Sequence, residues 1–299
     1  MSHAYSHLTA EAVAALDLPL AARAARMLTD RFVTHERLQR IFDTVDLMVR
    51  RPTRVRADGL IISADPGCGK TMLCEAILRR YPAELATVQS PARLPVIVIS
   101  MSEAREAKQL HIELLKALGY PHPHRHTADR RRDLVRELAQ AASLRLLVID
   151  EIQDVLIGTL RQQQLALEAI KALMNRLRVA VIALGTADAV HAMGANVHLR
   201  ARFEDETLPL WKADTYFAHF LEAYESALPL RERSRLSSLD TMRQLIKLSG
   251  GVLATIVERL GRAAALAIEH DEERITRGWI ERAQWEVPCC LRTMSGNAP

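Results

Sequence analysis

Aromatic side chains are scarce in this sequence. Phe, Trp and Tyr together make up 4% of the 299 residues, whereas leucine, alanine and arginine are abundant. Aromatic and β-branched residues are typical of β-sandwich cores, and Leu, Ala and Arg are good helix formers. The composition therefore favours a helix-rich protein over a β-sandwich.

Cysteine is also rare, and long uncharged runs are missing. The four cysteines, Cys68, Cys74, Cys289 and Cys290, show neither a disulfide framework nor the spacing of a zinc site. The chain lacks an N-terminal basic segment followed by an apolar one, and charged or histidine residues interrupt the low-charge stretch 179–199. We therefore expect a cytoplasmic protein in a reducing compartment, with no signal peptide and no membrane contact.

The overall charge balance excludes little. Hydrophobic residues make up 49% of the chain and charged residues 25%, and 40 basic side chains against 36 acidic ones give a net charge of +4. These values are ordinary for a globular protein with one large or two modest domains. The small basic excess permits nucleic-acid binding without requiring it.

A phosphate-binding loop is the most informative feature that is present. The apolar run 60–63 leads directly into Ala64-Asp65-Pro66-Gly67-Cys68-Gly69-Lys70-Thr71 and then into a helical pattern. Glycines free backbone N–H groups to face phosphate oxygens, a lysine reaches the β and γ phosphates, and a threonine holds magnesium. The pattern predicts an ATP and Mg²⁺ site, with Ala64 in place of the usual first glycine.

Strand-length apolar runs alternate with helical patterns up to Trp211. The runs predict five strands: 60–63, 96–100, 144–149, 179–184 and 208–210. Such alternation is typical of an α/β fold with a parallel sheet flanked by helices. Only helical patterns follow, so we expect an N-terminal helical extension (1–30), a nucleotide-binding α/β domain (31–211) and a small all-helical lid domain (212–299).

Two carboxylates end the third predicted strand. Asp150 and Glu151 follow the apolar segment 146–149. An Asp-Glu pair at a strand end can also form a turn or cap a helix. Combined with Lys70 and Thr71, the pair predicts hydrolysis, with Asp150 fixing magnesium and Glu151 orienting the attacking water.

Two further positions fit the same chemistry. Thr186 ends the next strand, where its hydroxyl could bond the attacking water or the γ phosphate, although it could instead cap the following helix. Arg200 and Arg202 precede the last predicted strand. Either could stabilise transition-state charge in a neighbouring subunit, and we favour Arg202 because Phe203 beside it offers an apolar anchor; the alternative is a surface salt bridge.

Taken together, these segments resemble an AAA+ ATPase of the TniB group of transposition proteins, which is related to TnsC, MuB and IstB. The resemblance covers most of the chain. Besides the two nucleotide motifs, it is carried by Arg31-Phe32-Val33, residues 147–153, Arg161-Gln162-Gln163-Gln164, residues 185–189, Arg202-Phe203-Glu204, Leu208-Pro209-Leu210-Trp211 and Ser249-Gly250-Gly251-Val252.

The resemblance implies an ATP-dependent regulator that assembles as a ring or filament on target DNA. Its expected partners are a DDE-type transposase, a target-selector protein and further copies of itself. It implies Lys70, Thr186, Arg202 and Glu151 as catalytic residues, with Thr186 as first sensor and Arg202 as a finger acting in trans. The implied metal ligands are Thr71 and Asp150, and the nucleotide contacts are Phe32, Val33, Pro66, Gly67, Cys68, Gly69, Lys70, Thr71 and Met72.

The helical domain departs from the usual AAA+ pattern. Many AAA+ proteins carry a sensing arginine about three residues after the glycine pair, where this chain has Ala254. Arg259 and Arg262 are the next candidates.

Basic residues suggest a backbone-directed interface for double-stranded DNA. Arg105 and Lys108 follow the second strand, on the side where related assemblies expose loops to a central channel, and Arg130 and Arg131 lie in a later basic run. A charge run can equally be a solvated helix face, since acidic residues partly neutralise this one. Few aromatics are interleaved, so sequence-independent phosphate contacts are expected rather than base stacking.

Two alternative functions remain open. A replication-type helicase loader would use a similar AAA+ core. A small-molecule P-loop kinase would need neither Glu151, nor the helical domain, nor a finger arginine.

Overall fold

The structure is a computed structural model that describes residues 5–52, 56–85, 87, 92–104, 106–121 and 123–290. Its strands are β1 (Gly59–Ala64), β2 (Val96–Ser100), β3 (Leu146–Asp150), β4 (Ala180–Gly185) and β5 (Phe203–Leu208). Its helices are α1 (Ala10–Ala15), α2 (Leu20–Arg26), α3 (Glu36–Arg50), α4 (Lys70–Arg80), α5 (Ala107–Ala117), α6 (Ala128–Ala141), α7 (Leu160–Leu177), α8 (Asp188–Gly194), α9 (Val197–Arg200), α10 (Thr215–Ser226), α11 (Leu239–Ser249), α12 (Leu253–Glu269) and α13 (Arg277–Arg282).

The five strands form one parallel sheet in the order β2-β3-β4-β1-β5. The strand β1 is buried along its whole length, as expected for a sheet covered on both faces. The order places β4 between β3 and β1, so the end of β4 lies between the two predicted nucleotide motifs. The predicted α/β fold with a parallel sheet flanked by helices is confirmed, and helices make up the C-terminal region.

The fifth strand was predicted in the wrong place. It runs from Phe203 to Leu208 and pairs with β1, with Gly59 opposite Phe203 and Ala64 opposite Leu208, whereas the sequence predicted residues 208–210. Its four central residues are exposed and three of them are acidic. An edge strand tolerates such polar residues, so its sequence carries no apolar run by which to recognise it.

The chain divides into two compact units, Arg37–Pro209 and Met1–Glu36 together with Leu210–Pro299. The first contains the sheet, with a core that includes Ile61, Ile149 and Ile170. The second is helical, and α2 packs on α12 within it. The boundaries predicted at residues 30 and 211 stay predictions.

In the helical unit, close backbone approaches explain two glycines. A Cβ on Gly261 would lie 2.7 Å from the carbonyl oxygen of Met27, so α12 can meet the end of α2 closely only with glycine there. A Cβ on Gly251 would lie 2.5 Å from the carbonyl oxygen of Trp211, whose N–H donates to the Gly251 carbonyl at 2.9 Å. Two segments that carry the family resemblance therefore contact each other.

Among the described residues, no helix combines the length and apolar character needed to cross a membrane.

Candidate functional site

The loop between β1 and α4 has the backbone conformation of an anion-binding loop. Gly67 and Gly69 adopt φ angles of 77° and 95°, in the left-handed region that glycine enters without steric cost. The N–H of Cys68 donates to the carbonyl of Asp65 at 3.2 Å and closes a turn. Helix α4 begins at Lys70, so backbone N–H groups and the positive end of an 11-residue helix meet at this loop. This arrangement fits a triphosphate.

Lys70 holds its ammonium group inside the loop. Its side chain is buried, and Nζ donates to the carbonyl oxygen of Ala64 at 2.8 Å. Thr71 is exposed at the start of α4, and Met72 behind it is half-buried. The loop residues predicted to bind nucleotide are thus brought together by one turn of chain.

Asp150 ends β3 as a partly buried carboxylate. Burial raises its pKa above the ordinary value and the charge of Glu151 adds to this, while the N–H of Glu151, donating to Oδ1 at 2.9 Å, and the positive charge of Lys70 oppose it. A carboxylate removed from water in this way is stabilised by a nearby cation. The Asp150 carboxylate and the Thr71 hydroxyl offer oxygen atoms of the kind that Mg²⁺ prefers, so these residues fit a magnesium site. Within the described residues no cluster of three His, Cys, Asp or Glu side chains is found, and a Mg²⁺ shared with phosphate oxygens does not require one.

Glu151 has an unusual backbone. Its φ and ψ are 52° and 42°, a left-handed conformation that is rare for a non-glycine residue. The carboxylate accepts a hydrogen bond from Nε2 of Gln153, which lies in the short 3-10 helix Ile152–Ile157. The predicted hydrolytic residue is therefore fixed by its own backbone and by a side chain two residues away.

Thr186 follows the end of β4, next to the strand that carries Asp150. Its backbone N–H donates to Oε1 of Gln153 at 3.1 Å. Among the described residues its hydroxyl makes no hydrogen bond, and no side-chain cap bond is made at Ala187, the residue before α8. The Thr186 carbonyl accepts from the N–H of Ala189 at 2.9 Å, at the start of that helix. The sensor role and the capping alternative for Thr186 both stay predictions. The sequence assigns Gln153 no role, because only the pairing of β3 with β4 brings its amide beside Thr186.

Arg202 lies at the amino end of the parallel strands, whereas the phosphate loop lies at their carboxyl end. Its carbonyl accepts a hydrogen bond from the N–H of Gly59, the first residue of β1, and the phosphate loop follows Ala64, the last residue of that strand. Six residues of strand separate the two positions by roughly 20 Å. Arg202 therefore cannot reach the phosphate loop of its own chain.

The two candidate finger arginines differ in their partners. Arg200 donates to the carbonyl of Phe203 at 2.8 Å and pairs with Asp205. Arg202 donates to the amide oxygen of Asn175 at 2.7 Å and borders a cavity of about 530 Å³ with Arg56 and Asp58. Arg200 thus has a carboxylate partner, whereas none pairs with Arg202 among the described residues; the preference for Arg202 as the finger stays a prediction.

The predicted DNA contacts have different surroundings. Arg105 lies outside the described residues. Lys108 is exposed in the first turn of α5, and Arg130 is exposed but pairs with Glu137 at 3.2 Å. Arg131 is 5% exposed and donates to the carbonyl of His126. Because its guanidinium is turned inward, Arg131 does not offer a charge to a DNA phosphate.

Sequence reasoning missed a basic cavity at the amino edge of the sheet. It has a volume of about 820 Å³, and five arginines line it against the single acidic residue Glu84. The arginines come from four segments of the chain: Arg50, Arg93, Arg145, and Arg176 with Arg178 at the end of α7. Arg145 is used structurally, since it donates to the carbonyls of Val49 and Arg51 at the end of α3. No sequence signal identifies this surface, because only folding brings the segments together.

The remaining candidates lie in the helical unit. Phe32 and Val33 lie between α2 and α3, and Val33 packs against the core of that unit, so their nucleotide contact stays a prediction. In α12, Arg259 donates to the carbonyl of Ile280 at 3.4 Å and Arg262 pairs with Glu258 at 2.5 Å. Both candidates for a second sensor therefore have local partners.

The fold is similar to those of several solved structures. The ORC2 protein of Aeropyrum pernix, in ADPNP-ADP complexes, aligns with a TM-score of 0.60 and 15% identity over 86% of this chain and 70% of its own. The ORC1 protein of the same organism, in complex with DNA, aligns with a TM-score of 0.60 and 17% identity over 86% of this chain and 66% of its own, just under two thirds. The Thermotoga maritima RuvB Holliday junction branch migration motor aligns with a TM-score of 0.51 and 15% identity over 85% of this chain and 69% of its own.

At these identities the likeness establishes the AAA+ fold. Comparison with curated proteins gives no match. The family model described as "Bacterial TniB protein" matches residues 23–213, which is more than half of the chain. The chain therefore belongs to the TniB family and has the fold of the AAA+ ATPases.

Proposed function

We propose that this protein binds and hydrolyses ATP while assembled on double-stranded DNA, and that it delivers that DNA to a DDE-type transposase. The observation that carries the proposal is the incomplete site. The phosphate loop, Asp150, Glu151 and Thr186 gather at the carboxyl edge of one sheet, while Arg202 lies at the other edge. A charge-stabilising arginine then has to come from a second copy of the chain.

The residues divide the work of hydrolysis. Lys70 and the loop N–H groups hold the β and γ phosphates, and Thr71 and Asp150 would hold Mg²⁺, which neutralises phosphate charge when bound. Glu151 orients the attacking water and accepts its proton. The Thr186 hydroxyl bonds the water or the γ phosphate, and Arg202 of the neighbouring copy stabilises charge on the transferred group.

Assembly and nucleotide state are coupled in this scheme. ATP bound in one copy attracts Arg202 of the next, so ATP favours assembly and hydrolysis weakens it. The TniB family membership supports transposition as the process served, with the transposase and a target-selector protein as partners. Contacts to DNA would be made with the phosphate backbone, through Lys108, Arg130 and Arg105, and would have low sequence specificity.

The test is phosphate release measured against protein concentration, with and without duplex DNA. We expect the turnover per chain to rise with protein concentration and to be stimulated by DNA, because each active site needs two copies. Glu151→Gln should retain ATP binding and assembly on DNA and lose hydrolysis by about 100-fold or more. Turnover independent of concentration and of DNA would contradict the proposal and favour a P-loop kinase.

A second candidate is a replication-type loader or initiator. The similarity to ORC proteins, one of them solved in complex with DNA, favours it. The two functions differ in their partner. ATP-dependent capture of a transposase would support the transposition role, and capture of a replicative helicase in its place would support the loader.

A further inference from the structure

The side-chain amide of Gln153 connects the ends of two neighbouring strands. Its nitrogen donates to Oε2 of Glu151, which follows β3, and its oxygen accepts from the N–H of Thr186, which follows β4, at 3.1 Å. The orientation of the amide is chemically determined. A carboxylate can only accept and a backbone N–H can only donate, so a flipped amide would lose both bonds.

The end of β4 is shaped to admit this amide. A Cβ added to Gly185 would lie 2.3 Å from Oε1 of Gln153 and 2.9 Å from Cβ of Ala189. Glycine is therefore required where β4 ends if Gln153 is to reach Thr186. Gly185 is also opposite Ser63 of β1, so the bridge stands beside the strand that leads into the phosphate loop.

The bridge restrains a side chain that would otherwise be mobile. A glutamate has three side-chain torsions, and an exposed carboxylate samples many positions. Here the left-handed backbone of Glu151 fixes where its side chain starts, and the amide of Gln153 fixes where it ends. A base held in one place contributes to catalysis because a misplacement of about 1 Å can cost about 100-fold in rate.

We infer that Gln153 is a positioning residue that orients the Glu151 carboxylate for hydrolysis and ties it to the position of Thr186. This inference rests on the proposed ATP hydrolysis. Gln153 contacts Glu151 and Thr186 in the structure, and it acts on the reaction through them.

Two substitutions separate positioning from simple structural support. Gln153→Met removes both hydrogen bonds with little change in volume. Gln153→Glu keeps an acceptor for Thr186 and replaces the donor to Glu151 by a repelling carboxylate. We expect both to lower kcat by about 10- to 100-fold with the ATP Kd changed less than about twofold, because phosphate-loop contacts are untouched. Gln140→Met and Gln140→Glu, at an exposed glutamine at the end of α6, are matched controls and should leave kcat unchanged.

A double-mutant cycle tests whether Gln153 acts through Glu151. In single-turnover measurements with DNA, adding Gln153→Met to Glu151→Gln should lower the residual rate less than twofold, because the group that it positions is already gone. A wild-type protein without hydrolysis, or a Glu151→Gln variant with normal turnover, would overturn the proposed function. Two outcomes would overturn this inference alone, provided that the wild type hydrolyses ATP and needs Glu151 to do so. One is a wild-type kcat in both Gln153 variants, and the other is a double variant in which the losses from Gln153→Met and Glu151→Gln add fully.

Discussion

Gly185, Gln153 and Glu151 show how single residues determine the geometry of the candidate site. Gly185 has no side chain, Gln153 has an amide that both donates and accepts, and Glu151 has a left-handed backbone. The left-handed conformation of a non-glycine residue costs free energy, and surrounding contacts must offset it. The site is therefore sensitive to small substitutions near the end of β4.

At Gly185, adding one methyl group should damage the site. In Gly185→Ala the new Cβ would overlap Gln153 Oε1 and displace the bridge. We expect a loss of about 1–3 kcal/mol in the free energy of unfolding, as for overpacked interiors, and a fall in kcat similar to that of Gln153→Met. Gly194→Ala is the control because its Cβ would meet nothing within 4 Å. Urea denaturation and steady-state turnover measure both effects, and equal behaviour of the two variants would contradict the role given to Gly185.

Within each compact unit, charged pairs link elements that hydrophobic packing brings together. Asp46 of α3 accepts two hydrogen bonds of 2.6 Å from Arg80 at the end of α4, and Tyr81 donates to it as well. In the helical unit, buried Arg23 of α2 donates to Glu273, which precedes α13, at 3.1 Å. Burial alone would raise the pKa of Glu273, but hydrogen bonds from Arg23 and the backbone of Arg231 lower it. The first pair fastens α4, the helix that follows the phosphate loop, to α3, and the second fastens α2 to the segment before α13.

The link between α3 and α4 gives a pH-dependent contribution to stability. The hydrogen bond from Arg80 lowers the pKa of Asp46 from 3.8 to about 2, against the opposing effect of burial. A lowered pKa means that this stabilisation is complete above pH 3.8 and is lost as the pH falls through about 2.

Replacing Asp46 should therefore lower the stability of the protein at neutral pH, but not at a pH low enough to protonate the Asp46 carboxylate. Because Arg80 is 41% exposed, we expect Asp46→Asn to lower the free energy of unfolding by only about 1 kcal/mol at neutral pH, with the difference from wild type vanishing near pH 2. Asp43→Asn, on the exposed face of the same helix, is the control and should show no such difference. Denaturant unfolding across this pH range is the measurement, and a pH-independent effect of Asp46→Asn would argue against the ion pair.

At the scale of the whole molecule, the positions of the basic residues decide how copies of the chain can work together. Arg202 and the phosphate loop lie at opposite ends of the parallel strands, so the proposed function would join them only between copies arranged head to tail. Lys108 follows the carboxyl end of β2, whereas the cavity lined by Arg176 and Arg178 lies at the amino edge. The exposed Lys108 and the basic cavity thus lie at opposite ends of the parallel strands.

Mixing two inactive variants tests whether Arg202 acts in trans. Arg202→Ala and Lys70→Ala should each lose hydrolysis. An equal mixture should recover up to about one quarter of wild-type turnover, because a head-to-tail assembly then joins intact phosphate loops to intact arginines at random. Arg200→Ala mixed with Lys70→Ala is the control. No recovery in the Arg202 mixture, with both variants still assembling, would exclude the finger role for Arg202.

Salt dependence of DNA binding can identify which basic surface contacts the phosphate backbone. We expect Lys108→Ala to weaken binding and to reduce the salt slope by about one, the change for one lost phosphate contact. Arg130→Ala should act in the same direction. Arg176→Ala and Arg178→Ala should have no effect. Fluorescence anisotropy with duplex DNA over a salt series measures this, and the opposite pattern would move the DNA interface to the amino edge.

Local patterns in the sequence were enough to predict a large part of the fold. Helices α10 to α13 lie in the segment after Trp211 where only helical patterns were predicted, and four of the five strands lie where apolar runs predicted them. The phosphate loop was equally clear, because Gly67, Gly69, Lys70 and Thr71 are contiguous. Each of these features depends on residues close together in the chain, whose periodicity and backbone preferences act locally.

The tertiary structure alone decided the features that join distant segments. It placed β5 on an acidic stretch at the edge of the sheet, turned Arg131 inward and separated Arg202 from the phosphate loop of its own chain. It also brought Gln153 between Glu151 and Thr186 and gathered five arginines around one cavity. These outcomes depend on strand order, register and burial, which arise when the whole core packs and leave no periodic signal in any one segment. The sequence by itself thus determined the chemistry available at the nucleotide edge, and the packed sheet decided which residues can share it.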